Sequence, residues 1–384
     1  MGALRAGAEW NPRGHSLEIA SNCRGGAYPT IATYPLARAV TQVTLPARAR
    51  THLPHRRRRA PQVASVPFRP TPVGGTASAL VVANPHARRV RRGEWRKPAE
   101  RALGRRYGIE IVSPGSAEEA AELVRARIAA EQRPAVVVAA GGDGTVRLVA
   151  QELAGTGVPL GVLPLGTGND FAKANGIPAD VAGALDCIIR RSTRAIDMLE
   201  VNGKPFVTAG GIGIGAHTAL AVPWIKALHP LARIAADSLG NGVYRLAAGF
   251  NVMFRPGITE RVRLTWREPG ETADRTTEVL AHGVFIANQR TLGGGMALPV
   301  PADNADGALD VCVVNDVARV RLLTALAQLL RGSAIASDVF SAWRATRVVI
   351  ETDRHAAFFG CGDLVAEGTR FDVKVVAGAL RVLI

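Results

Sequence analysis

The 384 residues are 47% hydrophobic and 21% charged, with a formal net charge of +15, a globular composition with enough chain for about two domains. No apolar run approaches the roughly 18–20 residues a membrane helix needs, and the N-terminus lacks the apolar stretch of a secretory signal. Four separated cysteines (Cys23, Cys187, Cys312, Cys361) without C-x-x-C spacing argue against a zinc site or a disulfide framework and for a reduced, cytoplasmic protein.

The positive charge is concentrated at one end. Residues 1–75 hold eleven arginines, no lysine and two acids, Glu9 and Glu18, a net +9 that leaves +6 for the rest. The run Arg56–Arg59 has the chemistry of a nucleic-acid or anionic-membrane contact. The text around it is rich in Pro, Arg and Ala and has no regular apolar period, which suits a solvated, disordered extension over residues 1–76. Because regular text begins only after it, the native start is expected near residue 75.

Strand and helix then alternate. "ALVVA" (79–83), "GIEIV" (108–112), "AVVVAA" (135–140) and "VPLGVL" (158–163) read as short buried strands. "SAEEAAELVRARIAA" (116–130) reads as a helix, with Ser116 and Glu119 as a capping box and Ala120, Val124 and Ile128 on one face. This pattern predicts a parallel sheet covered by helices. Beyond about residue 200 the strands run together: 260–266, 278–288, 308–314, 346–352 and 370–376, with one amphipathic helix at 317–331. A mostly antiparallel β domain is expected there.

Two strand-to-helix junctions carry glycine loops. In the first, "AVVVAAGGDGTVRLVAQEL" (135–153), the glycines permit a sharp turn and close backbone approach, and the following helix offers free N–H groups to an anion. It is neither a Walker A loop nor a G-x-G-x-x-G fingerprint, and "GIGIG" at 211–215 has the wrong spacing for the latter. An ordinary turn uses the same residue types, and Asp143 within it needs a role beside bound phosphate. The second loop, "VLPLGTGNDFA" (162–172), places Gly166, Thr167 and Gly168 where backbone N–H groups can line phosphates, followed by Asn169 and Asp170 at a helix start. Asp170 also suits a helix N-cap. Two such loops at the carboxyl ends of successive strands point to a ligand site.

The pair GGDGT and PLGTGNDFA resembles the diacylglycerol kinase/sphingosine kinase catalytic family, in its bacterial lipid-kinase branch. The likeness extends to "ANP" (83–85), "AIDML" (195–199), "FVTAGGIGIGA" (206–216), "GVFIANQRTLGGGM" (283–296) and "ADNADGALDVCVV" (302–314), and so covers residues 79–384. GGDGT alone is shared with NAD kinases and phosphofructokinases. The resemblance implies a three-layer α/β nucleotide-binding domain over 77–200 and a mostly antiparallel β-sandwich, lipid-binding domain over 201–384, its last strand returning to the first. It implies ATP-dependent phosphoryl transfer to a lipid hydroxyl with Mg²⁺. ATP would lie against Asn84 and Pro85, a hydroxyl at Ser113, the loop Gly141, Gly142, Asp143, Gly144 and Thr145, and Gly166, Thr167, Gly168 and Asn169. Asp143 would meet the phosphates through Mg²⁺ or water, because phosphoryl transfer rests on positioning and charge neutralisation.

Three departures accompany the likeness. The family's C-terminal DGE triplet, whose glutamate is taken as proton acceptor, is here Cys361-Gly362-Asp363; Asp363 is the carboxylate expected to act as base, with Asp143 as the alternative. The glycine expected soon after the NP turn is missing, although Arg88 and Arg89 could add charge. Leu148 stands where many relatives carry a glutamate. The segment around Asp306-Gly307 resembles a structural metal region, with Asp303 and Asp306 as candidate ligands, and is equally an Asp-Gly turn. His217, His282 and His355 show no ligand spacing.

The functional expectation is therefore a kinase of phospholipid metabolism acting on a membrane lipid, with peripheral contact to the anionic inner membrane face and no specific nucleic acid. Diacylglycerol, a sphingoid base, phosphatidylglycerol and an undecaprenyl-type alcohol all present a suitable hydroxyl, and a homodimer stays open. The rival readings are a weak or inactive nucleotide- and lipid-binding regulator, an NAD kinase-like enzyme, and a nucleic-acid binder acting through the arginine tail.

Overall fold

The computed structural model describes residues 77–228, 242–254, 259–293, 296–333 and 335–384. The extension expected over residues 1–76, Cys23 included, lies outside the described residues.

Strands β1 (Ser78–Ala83), β2 (Gly108–Val112), β3 (Val136–Gly141) and β4 (Leu160–Pro164) pair in parallel in the spatial order β4-β3-β1-β2. β3 and β4 are buried along their whole length and β1 along all but its first residue. That explains their uninterrupted apolar text, since a strand covered on both faces has no polar side to show. The connecting helices are α1 (Arg88–Arg92), α2 (Arg96–Leu103), α3 (Ala117–Ala129), α4 (Asp143–Leu153), α5 (Asp170–Ala174) and α6 (Val181–Arg190). At the start of α3, Ser116 Oγ accepts the N–H of Glu119 at 3.1 Å. The return bond from Glu119 goes to the N–H of Gly115, one residue before the cap, at 2.7 Å.

The second half comprises β5 (Thr193–Val201), β6 (Lys204–Phe206), β7 (Ala209–Gly213), helices α7 (Ile214–Leu228) and α8 (Gly242–Phe254), and then β8 (Glu260–Arg267) and β9 (Arg275–Ala287). β10 (Thr291–Gly293), β11 (Met296–Ala297), β12 (Leu309–Asn315), helix α9 (Arg319–Arg331), β13 (Phe340–Ala345), β14 (Arg347–Gly360) and β15 (Asp363–Leu383) follow. The sequence pattern predicts a single helix in this half; α7 and α8 correct that. α7 starts at a glycine-rich junction, contains Pro223 and is apolar around most of its circumference, so no 3.6-residue stripe betrays it.

Hydrogen bonding runs without a break through thirteen strands of the described residues. β8 and β7 each bridge β9 to β14, at opposite ends of those strands. The sheet therefore folds back over an apolar core holding Ile212, Leu264, Val284, Ile286, Phe358 and Phe371. Phe358 sits at its centre, 5.7 Å from the ring of Phe206 and 5.5 Å from that of Phe371. β15 joins the two halves: it pairs antiparallel with β14 and β5, and parallel with β4 where Val382 faces Leu160. Leu380, Val382 and Leu383 are buried in the core of the first half. A third core lies between β9, β12 and helices α7, α8 and α9, with Ala219, Val252, Phe285, Cys312 and Leu322 inside it.

Candidate active site

The two glycine loops are built against each other. Leu165 and Gly166 both donate their backbone N–H to Gly141 O, at 2.8 and 3.1 Å. A Cβ on Gly166 would lie 2.3 Å from Gly142 Cα, and one on Gly141 would lie 2.3 Å from Thr145 Oγ1. Real side chains never come that close, so Gly166 is required by the contact between the loops and Gly141 by the turn of its own loop into α4. Asn169 adopts a left-handed backbone (φ 50) and staples its own loop. Its Oδ1 accepts from Gly166 N at 3.0 Å, and its Nδ2 donates to the carbonyls of Pro164 and Gly166 at 3.2 and 3.0 Å. Asn169, one of the residues expected to meet the nucleotide, thus shapes this loop.

Asp143 ties the loops together. Its Oδ1 accepts the N–H of Phe171 at 2.9 Å, so an acid from the first loop caps α5, the helix that follows the second. Burial raises the carboxyl pKa above the usual aspartate value; the N–H groups of Phe171 and Asp170 oppose the shift, the charge of Asp170 adds to it and that of Lys173 lowers it.

Asp143 also lines a cavity of about 910 Å³ that runs between the loops and the second half. Gly144, Gly166, Thr167 and Gly168 line it beside Asp143, together with His86, Arg88, Arg89 and Arg91. Gly141, Gly142, Thr145 and Asn169 stand behind this wall as loop structure. Asn84, Pro85 and Ser113 are not brought to the cavity. The Asn84 side chain closes a local turn, accepting from His86 N at 2.9 Å, and Ser113 is exposed beyond the end of β2. Arg89 braces α1 against the second loop by donating to Pro164 O at 2.8 Å.

The far side of the cavity is apolar, lined by Ile214, Val252, Phe285, Leu298, Leu322 and Phe359. Between the two ends lies the β14–β15 turn. Cys361 (φ 55) and Gly362 (φ 87) form its two central positions, the positive-φ geometry of a tight hairpin. Cys361 Sγ accepts from the N–H groups of Val207 and Thr208 at 3.3 and 3.5 Å. The sulfur thus serves as the acceptor for two backbone N–H groups in the connection between β6 and β7. Asp363 Oδ2 pairs with Arg147 Nη2 at 2.8 Å. Arg147 is one helical turn beyond Asp143 on α4, and its other nitrogen, Nη1, donates to Gln151 at 3.3 Å. Arg147 belongs to no motif in the sequence, and the i, i+4 spacing from Asp143 is its one local sign. Leu148, at the position of the relatives' glutamate, packs against the first core.

Asp303 and Asp306, the candidate metal ligands, each face an arginine. Asp303 Oδ1 lies 2.6 Å from Arg194 Nη2, and Asp306 Oδ2 lies 2.5 Å from Arg344 Nη2. Nearby, buried Asp197 accepts from the N–H groups of Gly307 (2.7 Å) and Gly378 (2.8 Å), fixing the Asp306-Gly307 turn against β15. Among the described residues no group of three or more His, Cys, Asp or Glu side chains is placed to hold a metal ion. For Mg²⁺ itself the cavity residues do fit. Mg²⁺ usually keeps several waters and takes one or two carboxylates plus substrate phosphates, and beside Asp143 the space around Gly144 is open, with nothing within 4 Å of where a Cβ would stand.

A parallel sheet with paired glycine loops at its strand ends, closed over by a β-rich half, is the arrangement expected of a kinase of the diacylglycerol kinase type, and comparisons with known proteins agree. The diacylglycerol kinase catalytic domain model matches residues 78–201, and the YegS C-terminal NAD kinase beta sandwich-like domain model matches residues 264–384. A diacylglycerol kinase of Mycobacterium tuberculosis is 30% identical over 246 residues, 63% of this chain and 74% of that protein. A Pseudomonas fluorescens protein named probable lipid kinase YegS-like is 32% identical over 292 residues, 74% of this chain and 87% of its own length. A crystal structure described as that of a diacylglycerol kinase from Bacillus anthracis superposes with a TM-score of 0.59 at 18% identity, covering 80% of this chain and 96% of that one, a likeness of fold. The chain belongs to the diacylglycerol kinase and YegS-like lipid kinase family.

Proposed function

We propose that this kinase transfers the γ-phosphoryl group of ATP to the hydroxyl of a membrane lipid such as diacylglycerol, at the inner face of the membrane, within a three-layer α/β domain followed by an antiparallel sandwich. One observation carries the reading: a single cavity has glycine loops and arginines at one end and an aliphatic and aromatic wall at the other, with the Asp363 turn between. Triphosphate chemistry suits the first end and acyl chains the second.

In this reading the backbone around Gly144 and Gly166–Gly168 positions the phosphates, and Arg88 adds charge. Bound Mg²⁺ would neutralise phosphate charge, held through Asp143 and water. Asp363 takes the proton from the lipid hydroxyl as its oxygen attacks the γ-phosphorus and ADP departs. Arg147 holds Asp363 in place beforehand and shares its charge. A second reading rests on that same ion pair: with Asp363 committed to Arg147, the protein would be a slow kinase or a nucleotide- and lipid-binding regulator. An NAD kinase-like activity is the lesser alternative, because the wall built by α7, α8 and α9 is mostly apolar and suits acyl chains better than a second polar nucleotide.

Incubation with labelled ATP, Mg²⁺ and a panel of lipids tests the proposal. Transfer to a lipid that is lost in Asp143→Ala supports it. ATP binding without transfer to any lipid moves the assignment to the regulator, and transfer to NAD instead overturns it.

A further inference from the structure

α8 has two apolar faces. The inner one is expected of a helix over a core: Val243, Ala247, Ala248, Asn251 and Val252 are buried, and Asn251 Nδ2 donates to Thr218 Oγ1 on α7 at 3.3 Å. The outer one is not. Leu246 is 61% exposed, Phe250 65%, Met253 42% and Phe254 65%. Their spacing of four, three and one residues makes a continuous stripe along the helix. The rings of Phe250 and Phe254 touch each other at 5.0 Å, so neither finds its main contact in the core. On α9, Val320 is 70% exposed and Leu330 is 41% exposed, and Arg319 ties the start of that helix to Met253 O at the end of α8. Exposed large apolar groups gathered in this way mark a surface that meets another apolar phase.

Charge identifies the phase. The sequences of α7, α8 and α9 contain Lys226, Arg245, Arg319, Arg321 and Arg331 and no Asp or Glu. Arg321 pairs with Asp338 at 2.9 Å. Arg245 and Arg331 have no ion-pair or hydrogen-bond partner among the described residues. An apolar stripe on helices that carry cations and no acids of their own is complementary to anionic headgroups over an acyl layer. Position agrees with charge: the inner faces of α8 and α9, through Ala248, Val252, Leu322 and Ala325, line the apolar end of the cavity.

We infer that the outer face of α8, with Leu246, Phe250, Met253 and Phe254, is a docking surface for an anionic lipid bilayer. The helix inserts its stripe among the acyl chains while Arg245 and Arg331 rest at the headgroups. The wall between bilayer and cavity is then one helix thick, so a lipid reaches the cavity without its chains crossing water. The inference rests on the lipid-kinase reading for its purpose, but the docking can be measured without any turnover.

The full chain is sedimented with vesicles of phosphatidylglycerol and phosphatidylcholine at low salt and at about 0.5 M salt, where surface electrostatics, the arginine-rich N-terminal residues included, are largely screened. The unaltered protein is expected to stay bound at high salt. The double variant Phe250→Ser/Phe254→Ser is expected to bind at least about tenfold less, with unchanged nucleotide affinity and unchanged phosphorylation of a short-chain, water-soluble diacylglycerol. In a second measurement, the variant Phe250→Trp is titrated with vesicles brominated on the acyl chains, and quenching of emission gained over the unaltered protein places position 250 in the bilayer. Equal vesicle binding by the double variant, or no added quenching, overturns the inference and leaves the kinase reading intact. A dimer in solution that dissociates in the double variant, with vesicle binding unaltered, would assign the stripe to a second copy of the chain and also overturns it. Bilayer insertion in a protein that phosphorylates no lipid would sink the kinase reading and leave the docking surface standing.

Discussion

The two ends of the cavity are held in shape by opposite means. At the glycine end, hydrogen bonds fix the wall: Gly141 O receives two N–H groups, Asn169 makes three bonds within its loop, and Asp143 caps the neighbouring helix. At the far end the wall is a layer of side chains from α7, α8, α9 and the sheet, held by packing. Hydrogen bonds have narrow geometry, whereas aliphatic contacts accommodate change of shape. The first end is therefore suited to one ligand of fixed geometry and the second to a class of ligands with variable chains.

The substitution with the largest expected effect removes the carboxylate between the ends. Asp363→Asn should lower kcat by about 10²–10⁴-fold, the usual contribution of a general base, while ATP affinity measured by calorimetry stays the same; unchanged turnover would refute the role. Gly166→Ala attacks the rigid end. Its Cβ must push Gly142 away from 2.3 Å, at a cost of about 1–3 kcal/mol in stability, and ATP binding should weaken with it. Gly144→Ala, with open space around it, should leave the melting temperature nearly unchanged. If both variants melt alike, the close contact between loops is wrong.

Smaller effects follow. Arg88→Ala should raise the KM for ATP roughly tenfold, the worth of one charged hydrogen bond, and leave the KM for lipid unaltered, because Arg88 lines only the glycine end. Asp310→Asn should not change turnover. Burial holds the Asp310 carboxyl at about 6 against an ordinary 3.8, with Arg344 opposing the shift and Asp306 adding to it. Between those values the folded protein keeps a proton that the unfolded chain releases, so stability falls as pH rises through the window, by up to about 3 kcal/mol. Denaturant titrations from pH 4 to 7 should show that fall in the unaltered protein and lose most of it in Asp310→Asn.

Some of this arrangement is legible in the residues. The strands beneath the glycine loops announce themselves as apolar runs, and the loops at 141–145 and 166–169 follow from glycine placed directly after them. The division of labour inside the loops is not legible. Asn169 and Asp170 are adjacent polar residues at a helix start, and only the left-handed backbone of Asn169 turns its amide inward. Ser113 and Asn84 also follow strands of the same sheet, yet Ser113 lies just past β2 at the sheet's edge and the Asn84 side chain turns back onto His86 N, so the chain after β1 reaches the cavity only from His86 onward. The Arg147–Asp363 pair joins positions distant in sequence, which no local pattern reports. α7 hides because its residues are apolar around most of the helix and leave no stripe, and α8 because it is apolar on two faces rather than one.

β15 has a further consequence, for the order of events during synthesis. The parallel sheet is complete in sequence once β4 has been made, but the edge of β4 finds its partner only when Val382 arrives. At about 5–20 residues per second, the interval is on the order of ten to forty seconds. For that time the nascent first half presents an open, apolar strand edge, the kind of surface that recruits chaperones or other chains. Its folding is thus timed by a segment that also carries Asp363 at its opposite end, so the half that would bind ATP and the carboxylate that would act on the lipid hydroxyl are completed by the same stretch of chain.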